Sequence, residues 1–72
     1  MTYQYIAVAE DALDGSWSAY VPDLPGCIST GDTRTEVGQN IREAIAFHIE
    51  GLLEEDLPVP TPSSEVELVD VA

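Results

Sequence analysis

The chain has 72 residues with 14 acidic and 2 basic side chains, a formal net charge of −12. Binding to phosphate backbones or anionic membranes needs clustered Lys and Arg, so two cations, Arg34 and Arg42, exclude direct nucleic-acid binding and a membrane-surface role. One Cys excludes an internal disulfide, the spacing of a zinc site is absent, and no metal or cofactor is expected.

The whole chain, residues 1–72, reads as a single domain. A single core in a chain below about 70–80 residues rarely supplies more than ~3–5 kcal/mol. Association offers the missing support, so a homodimer or larger homo-oligomer is expected. The acidic field favours a basic protein partner, because opposite charges steer and register an encounter. Met1-Thr2-Tyr3-Gln4-Tyr5 lacks the basic region and apolar run of a signal peptide. No apolar stretch approaches the ~18 residues of a membrane helix. With a free Cys27, which fits a reducing compartment, these features give a cytoplasmic expectation.

In chain order, 3–10 reads as a strand, with Tyr3, Tyr5, Ala7 and Ala9 on one face and Gln4, Ile6, Val8 and Glu10 on the other. Asp14-Gly15 signals a hairpin turn. The second strand, 17–21, sets Trp17, Ala19 and Val21 against Ser18 and Tyr20. Pro22 ends it, since proline has no amide donor. Pro25-Gly26 suits the centre of a type II turn, where Gly supplies a positive φ. A short third strand follows over 27–30, then a break at Gly31-Asp32.

Thr33-Arg34-Thr35-Glu36 matches a capping box that opens a helix. Val37, Ile41, Ala44, Ile45, His48, Ile49 and Leu52 then form one apolar stripe, opposite Glu36, Gln39, Glu43, Glu50 and Glu54. The helix ends near 54–56, ahead of Pro58. Glu54, Glu55 and Asp56 oppose the macrodipole there, which predicts fraying. Pro58-Val59-Pro60-Thr61-Pro62 reads as a stiff crossover. A final strand is expected over 65–71, with Val66, Leu68 and Asp70 on one face, set parallel to the third strand by a right-handed crossover. The expected fold is α+β, in the order β-β-β-α-β: a mostly antiparallel four-stranded sheet with one helix on one face. The other face, left bare, needs a partner.

Pro22-Asp23-Leu24-Pro25-Gly26-Cys27, Gly31-Asp32-Thr33, the helical Glu43-Ala44-Ile45 and Leu57-Pro58-Val59-Pro60-Thr61-Pro62-Ser63, in this order, resemble the HicB-like antitoxin family over nearly the whole chain. The resemblance implies a partial RNase H-like fold. It also implies a partner, a small basic HicA-type toxin that cleaves mRNA and whose active site the antitoxin covers. Full-length family members carry a C-terminal DNA-binding domain that represses their own operon. The sequence stops at Ala72, so that domain and that activity are not expected here.

A nuclease of RNase H type would hold two metals on clustered carboxylates, one of them central on the first strand. That strand's centre is Ile6-Ala7-Val8, and Glu10, Glu43, Glu50 and Asp70 form no close-spaced set. No catalytic residue is expected. Sole His48 falls within the apolar stripe and reads as a core or interface residue. Cys27 has no neighbouring cation in sequence and reads as a packed thiol. Glu54, Glu55 and Asp56 point in different directions on a helix and cannot converge on one ion. Candidate contacts for a basic partner are Glu10, Asp11, Asp14, Asp23 and Asp32 on loops and strand ends, with Trp17 and Tyr20 as apolar anchors. Plain turn chemistry is the competing reading of those acids. The leading reading is an antitoxin that occludes a basic toxin. A stand-alone oligomer without a toxin comes second, and a degenerate nuclease third.

Overall fold

The computed structural model describes residues 4–71. The start of the expected first strand at Tyr3 lies outside them, as do Met1, Thr2 and Ala72. Three short strands, β1 (Val8–Asp11), β2 (Trp17–Tyr20) and β3 (Ile28–Gly31), precede one helix, α1 (Arg34–Glu54). The strands form an antiparallel sheet in the order β1-β2-β3.

The β1–β2 turn runs from Ala12 to Ser16. The Gly15 amide donates to the Ala12 carbonyl at 3.0 Å and the Ala12 amide to the Ser16 carbonyl at 2.8 Å. Gly15 has φ 88°, whereas a type I′ turn centred on Asp14-Gly15 would also need a positive φ at Asp14, which Asp14 does not have. Between β2 and β3 the chain makes two consecutive turns. The Leu24 amide donates to the Val21 carbonyl at 3.1 Å, and the Cys27 amide to the Leu24 carbonyl at 3.0 Å. Pro25 and Gly26 occupy the centre of the second turn, and Gly26 takes the expected positive φ of 83°. Together the two turns push Leu24 inward, where it is 0% exposed.

Thr33 caps α1. Its hydroxyl accepts the Glu36 amide at 3.0 Å, while the Glu36 carboxylate accepts the Asp32 amide at 3.2 Å, one residue before the cap. The Asn40 side-chain amide donates to the Thr30 carbonyl at 2.8 Å and ties the helix to β3. Gly31 lets the helix start this close to the strand: a Cβ there would meet the Val37 backbone nitrogen at 2.7 Å.

The far end of α1, where fraying is expected, carries a closing motif. The Leu57 amide donates to the Leu52 carbonyl at 2.9 Å and the Asp56 amide to the Leu53 carbonyl at 3.2 Å, and Asp56 takes φ 55°. This is a Schellman motif, with Leu57 and Leu52 in its usual hydrophobic positions. The bonds that close it hold the last turn against the unfavourable charge of Glu54, Glu55 and Asp56.

Register assigns the faces. Ala9, Ala19 and Ser29 form one row across the sheet, and Asp11, Trp17 and Gly31 the next. This side faces α1: Ala19, Val21, Leu24, Cys27, Val37 and Ile41 are the buried core, with Tyr5, Trp17, Ala44 and Ile45 packed around it. The expected helical stripe is therefore the one that packs.

The expected four-stranded β-β-β-α-β order is corrected to a three-stranded sheet and β-β-β-α. Residues 65–71 form no strand and are exposed. Two fastenings explain why. The Tyr5 hydroxyl donates to the Pro60 carbonyl. The Asp23 carboxylate accepts four bonds from Ser63 and Ser64. The chain is thus pinned to the β2–β3 loop just before the segment that would have to reach a sheet edge.

Candidate functional site

The face of the sheet away from α1 is the candidate interaction surface. Val8, Tyr20 and Ile28 lie side by side across all three strands, and Glu10, Ser18 and Thr30 form the next row. The first row is apolar and open: Ile28 is 71% exposed and Tyr20 44%. These two side chains stand out because the helix covers only the other face.

The expected contact residues separate into two groups. Asp11 pairs with Trp17, and Trp17 with Gly31, so Glu10, Asp11, Asp14, Trp17 and Asp32 gather at the hairpin end of the sheet. Val8 pairs with Tyr20 at the opposite end, where the loop holding Asp23 begins. Trp17 and Tyr20 also project from opposite faces: Trp17 packs against the core, whereas Tyr20 lies on the open side. They do not form one aromatic anchor.

Two of the acids have work within the chain. Asp14 Oδ1 accepts the Ser16 hydroxyl at 2.6 Å and the Ser16 amide at 3.0 Å. Those bonds, the hydroxyl first, hold its carboxyl below the usual range. This is the local turn chemistry that favours Asp at such positions. Asp23 does more. Its Oδ2 accepts the amides of Ser63 and Ser64, each at 3.0 Å, and its Oδ1 accepts their hydroxyls at 2.9 and 3.0 Å. The two backbone amides, assisted by the hydroxyls, lower its pKa to about 2. Ser63 and Ser64 lie some forty residues from Asp23 in sequence, so no local pattern could have paired them. Glu10, Asp11 and Asp32 have exposed side chains at the hairpin end.

His48 is half-buried beside Cys27, Ala44 and Phe47 in a shallow depression of about 320 Å³. Cys27 is buried, and burial pushes its thiol pKa up, which disfavours the reactive thiolate. Among the described residues, no three His, Cys, Asp or Glu side chains are grouped so as to hold a metal ion, and no helix is long and apolar enough to cross a membrane. A second groove, of about 300 Å³, lies between α1 and the β1 side of the sheet.

The family described as HicB-like antitoxin of bacterial toxin-antitoxin system matches the chain over residues 5–71. A UPF0150 protein of Synechocystis sp. is 50% identical over 58 residues, 81% of this chain and 73% of that protein. A UPF0150 protein of Thermoplasma acidophilum is 37% identical over 65 residues, 90% of this chain and 91% of that one. The fold also matches a chain of a solved HicA3 and HicB3 toxin-antitoxin complex with a TM-score of 0.70 and 33% identity, covering 85% of this chain and 70% of that one.

Proposed function

The chain belongs to the HicB-like antitoxin family, and we propose that it binds and neutralises a basic, mRNA-cleaving toxin of the HicA type by covering it. The observation that carries this reading is the likeness, at 33% identity, to a chain of a complex between a toxin and its antitoxin. The net charge of −12 supports a basic partner. The open face supplies the contact: Tyr20 and Ile28 bury apolar area there, Glu10 on that face and Asp11 and Asp32 at the hairpin end meet Lys and Arg of the toxin, and Asp14 acts by holding the hairpin turn. Trp17, half-buried at that end, adds aromatic surface beside them, and Asp23 acts by holding Ser63 and Ser64 in place. The pair works in the cytoplasm, and the chain's part in it is binding, with no catalytic step.

Co-expression with the product of the adjacent reading frame tests this. Growth arrest by that product alone, its relief by this chain and co-purification of the two are expected. Tyr20→Ala together with Ile28→Asp weakens the complex at least about thirtyfold, the scale of a hot spot worth ≥ 2 kcal/mol. Unrelieved growth arrest, or purification of self-oligomers only, overturns the reading.

A further inference from the structure

The overturned fourth strand leaves two features without a role, and they fit each other. The first is the 65–71 segment, Glu65-Val66-Glu67-Leu68-Val69-Asp70-Val71. Its apolar side chains are mostly in solvent: Val66 is 71% exposed, Leu68 94%, Val69 71% and Val71 88%. The second is the groove between β1 and α1. Its floor and wall include Ala7, Ala9, Val37 and Ile41, and it is flanked by Arg34 and Arg42. Those are the only two basic residues in a chain of net charge −12. Ala7 and Ala9 are exposed within the groove.

We propose that the 65–71 segment of one copy lies in the Arg34/Arg42 groove of a second copy, along the free edge of β1, and that a second copy returns the contact. Charge selects the occupant. Two guanidiniums favour an acidic ligand, and one face of the extended segment combines Glu65 and Glu67 with Val69 and Val71. Its length is sufficient. Seven extended residues span about 23 Å, whereas Arg34 and Arg42, eight residues apart on α1, are separated by about 12 Å along the helix axis. β1 has the sheet's outer position, so its outer edge is open to a further strand. Asp23 holds Ser63 and Ser64 at the β2–β3 loop, and residues 65–71 are exposed beyond that point, so the segment is available to a second copy. Burying Val69 and Val71, on the face the extended segment shares with Glu65 and Glu67, against Ala7, Ala9 and the half-buried Ile45 adds apolar area that a chain of this size lacks by itself. The contact involves no toxin and stands independently of the antitoxin reading.

Sedimentation velocity on the full chain at micromolar concentrations, with far-UV circular dichroism as a check of folding, tests the proposal by charge exchange. The wild-type chain sediments as a dimer. The double variant Arg34→Glu, Arg42→Glu and the triple variant Glu65→Lys, Glu67→Lys, Asp70→Lys each raise the dimer dissociation constant at least tenfold when alone. An equimolar mixture of the two restores dimers, since each acidic segment then meets an arginine groove and each lysine segment a glutamate groove. If a charge-reversed chain loses its helical signal, Arg34→Gln, Arg42→Gln replaces it, with the same expected weakening. A monomeric wild type overturns the proposal, whether or not the segment is protected from amide exchange. So does a truncation after Ser64 that stays dimeric, or a mixture that fails to restore dimers from two folded variants.

Discussion

Replacing Leu24 with Ala removes the side chain that the two consecutive turns of the β2–β3 loop drive into the core. Leu24 is 0% exposed and, among the described residues, belongs to a core of six buried side chains. Losing its three outer carbons forfeits about 2.4 kcal/mol at about 0.8 kcal/mol per carbon group. The cavity left behind raises the total to about 3–4 kcal/mol. A domain of this size has about 3–5 kcal/mol to lose, so Leu24→Ala leaves about −1 to 2 kcal/mol, a chain at the margin of unfolding without denaturant. Urea unfolding, followed by Trp17 fluorescence and circular dichroism at one fixed protein concentration, reads the effect. Leu24→Val keeps most of the volume and costs about 1 kcal/mol, a shift of about 1 M in the urea midpoint for a small domain. The matched control is Leu13→Ala at the hairpin tip, where Leu13 is fully exposed and the change stays within about 0.5 kcal/mol. If Leu24→Ala moves the midpoint no more than Leu13→Ala, the loop is not part of the core and the reasoning fails.

Gly31→Ala places a Cβ at 2.7 Å from the Val37 backbone nitrogen; main-chain atoms cannot rotate away, so thermal unfolding should show a loss of about 1–3 kcal/mol. Gly51→Ala, with nothing within 4 Å of the added carbon, should gain about 0.5–1 kcal/mol from helix propensity in the same assay. Asp56→Gly relieves the φ of 55° and removes an acid from the helix C-terminus, so the melting temperature rises by several degrees, about 4–8 °C per kcal/mol in a domain of this size. The Asp23 pKa is depressed to about 2 from 3.8, so its clasp is fully present above the unfolded value and is lost as pH falls through about 2. Exchange of the Ser63 and Ser64 amides, compared with helix amides, follows that loss, and Asp23→Asn should speed it about tenfold already at neutral pH.

Much of the fold is legible because its signals are local. The helix follows from Thr33, Glu36 and a stripe that repeats at helical spacing, and the Pro25-Gly26 turn from two residues whose backbone preferences leave few alternatives. The same locality explains the failures. Alternation in Val66, Leu68 and Asp70 marks a segment able to be a strand, but alternation does not state which edge is within reach. Asp23, bonded to Ser63 and Ser64 across forty residues, decides that. Leu24 was hidden for a related reason. It sits in a loop between two prolines, with no periodic neighbours to mark it as buried, and only the geometry of the two turns points it inward.

The acidity behind the candidate site is written in composition, whereas the placement of its residues is not. A count of carboxylates gives the field that attracts a basic protein, and that field does not depend on which acid faces which way. Contact does. Asp14 is absorbed by its own turn and Asp23 by the clasp, so both can be essential to shape without touching a partner. Glu10, Asp11 and Asp32 come together because strand register stacks the ends of β1 and β3 on either side of Trp17. Register also separates Trp17 from Tyr20, three residues apart and therefore on opposite faces. The apolar row beside the acids is completed by Ile28, which looks in sequence like an ordinary core residue. It is exposed because one helix can cover only one side of a three-stranded sheet, and an apolar row beside an acidic end is the pairing that a basic protein with an apolar centre would match.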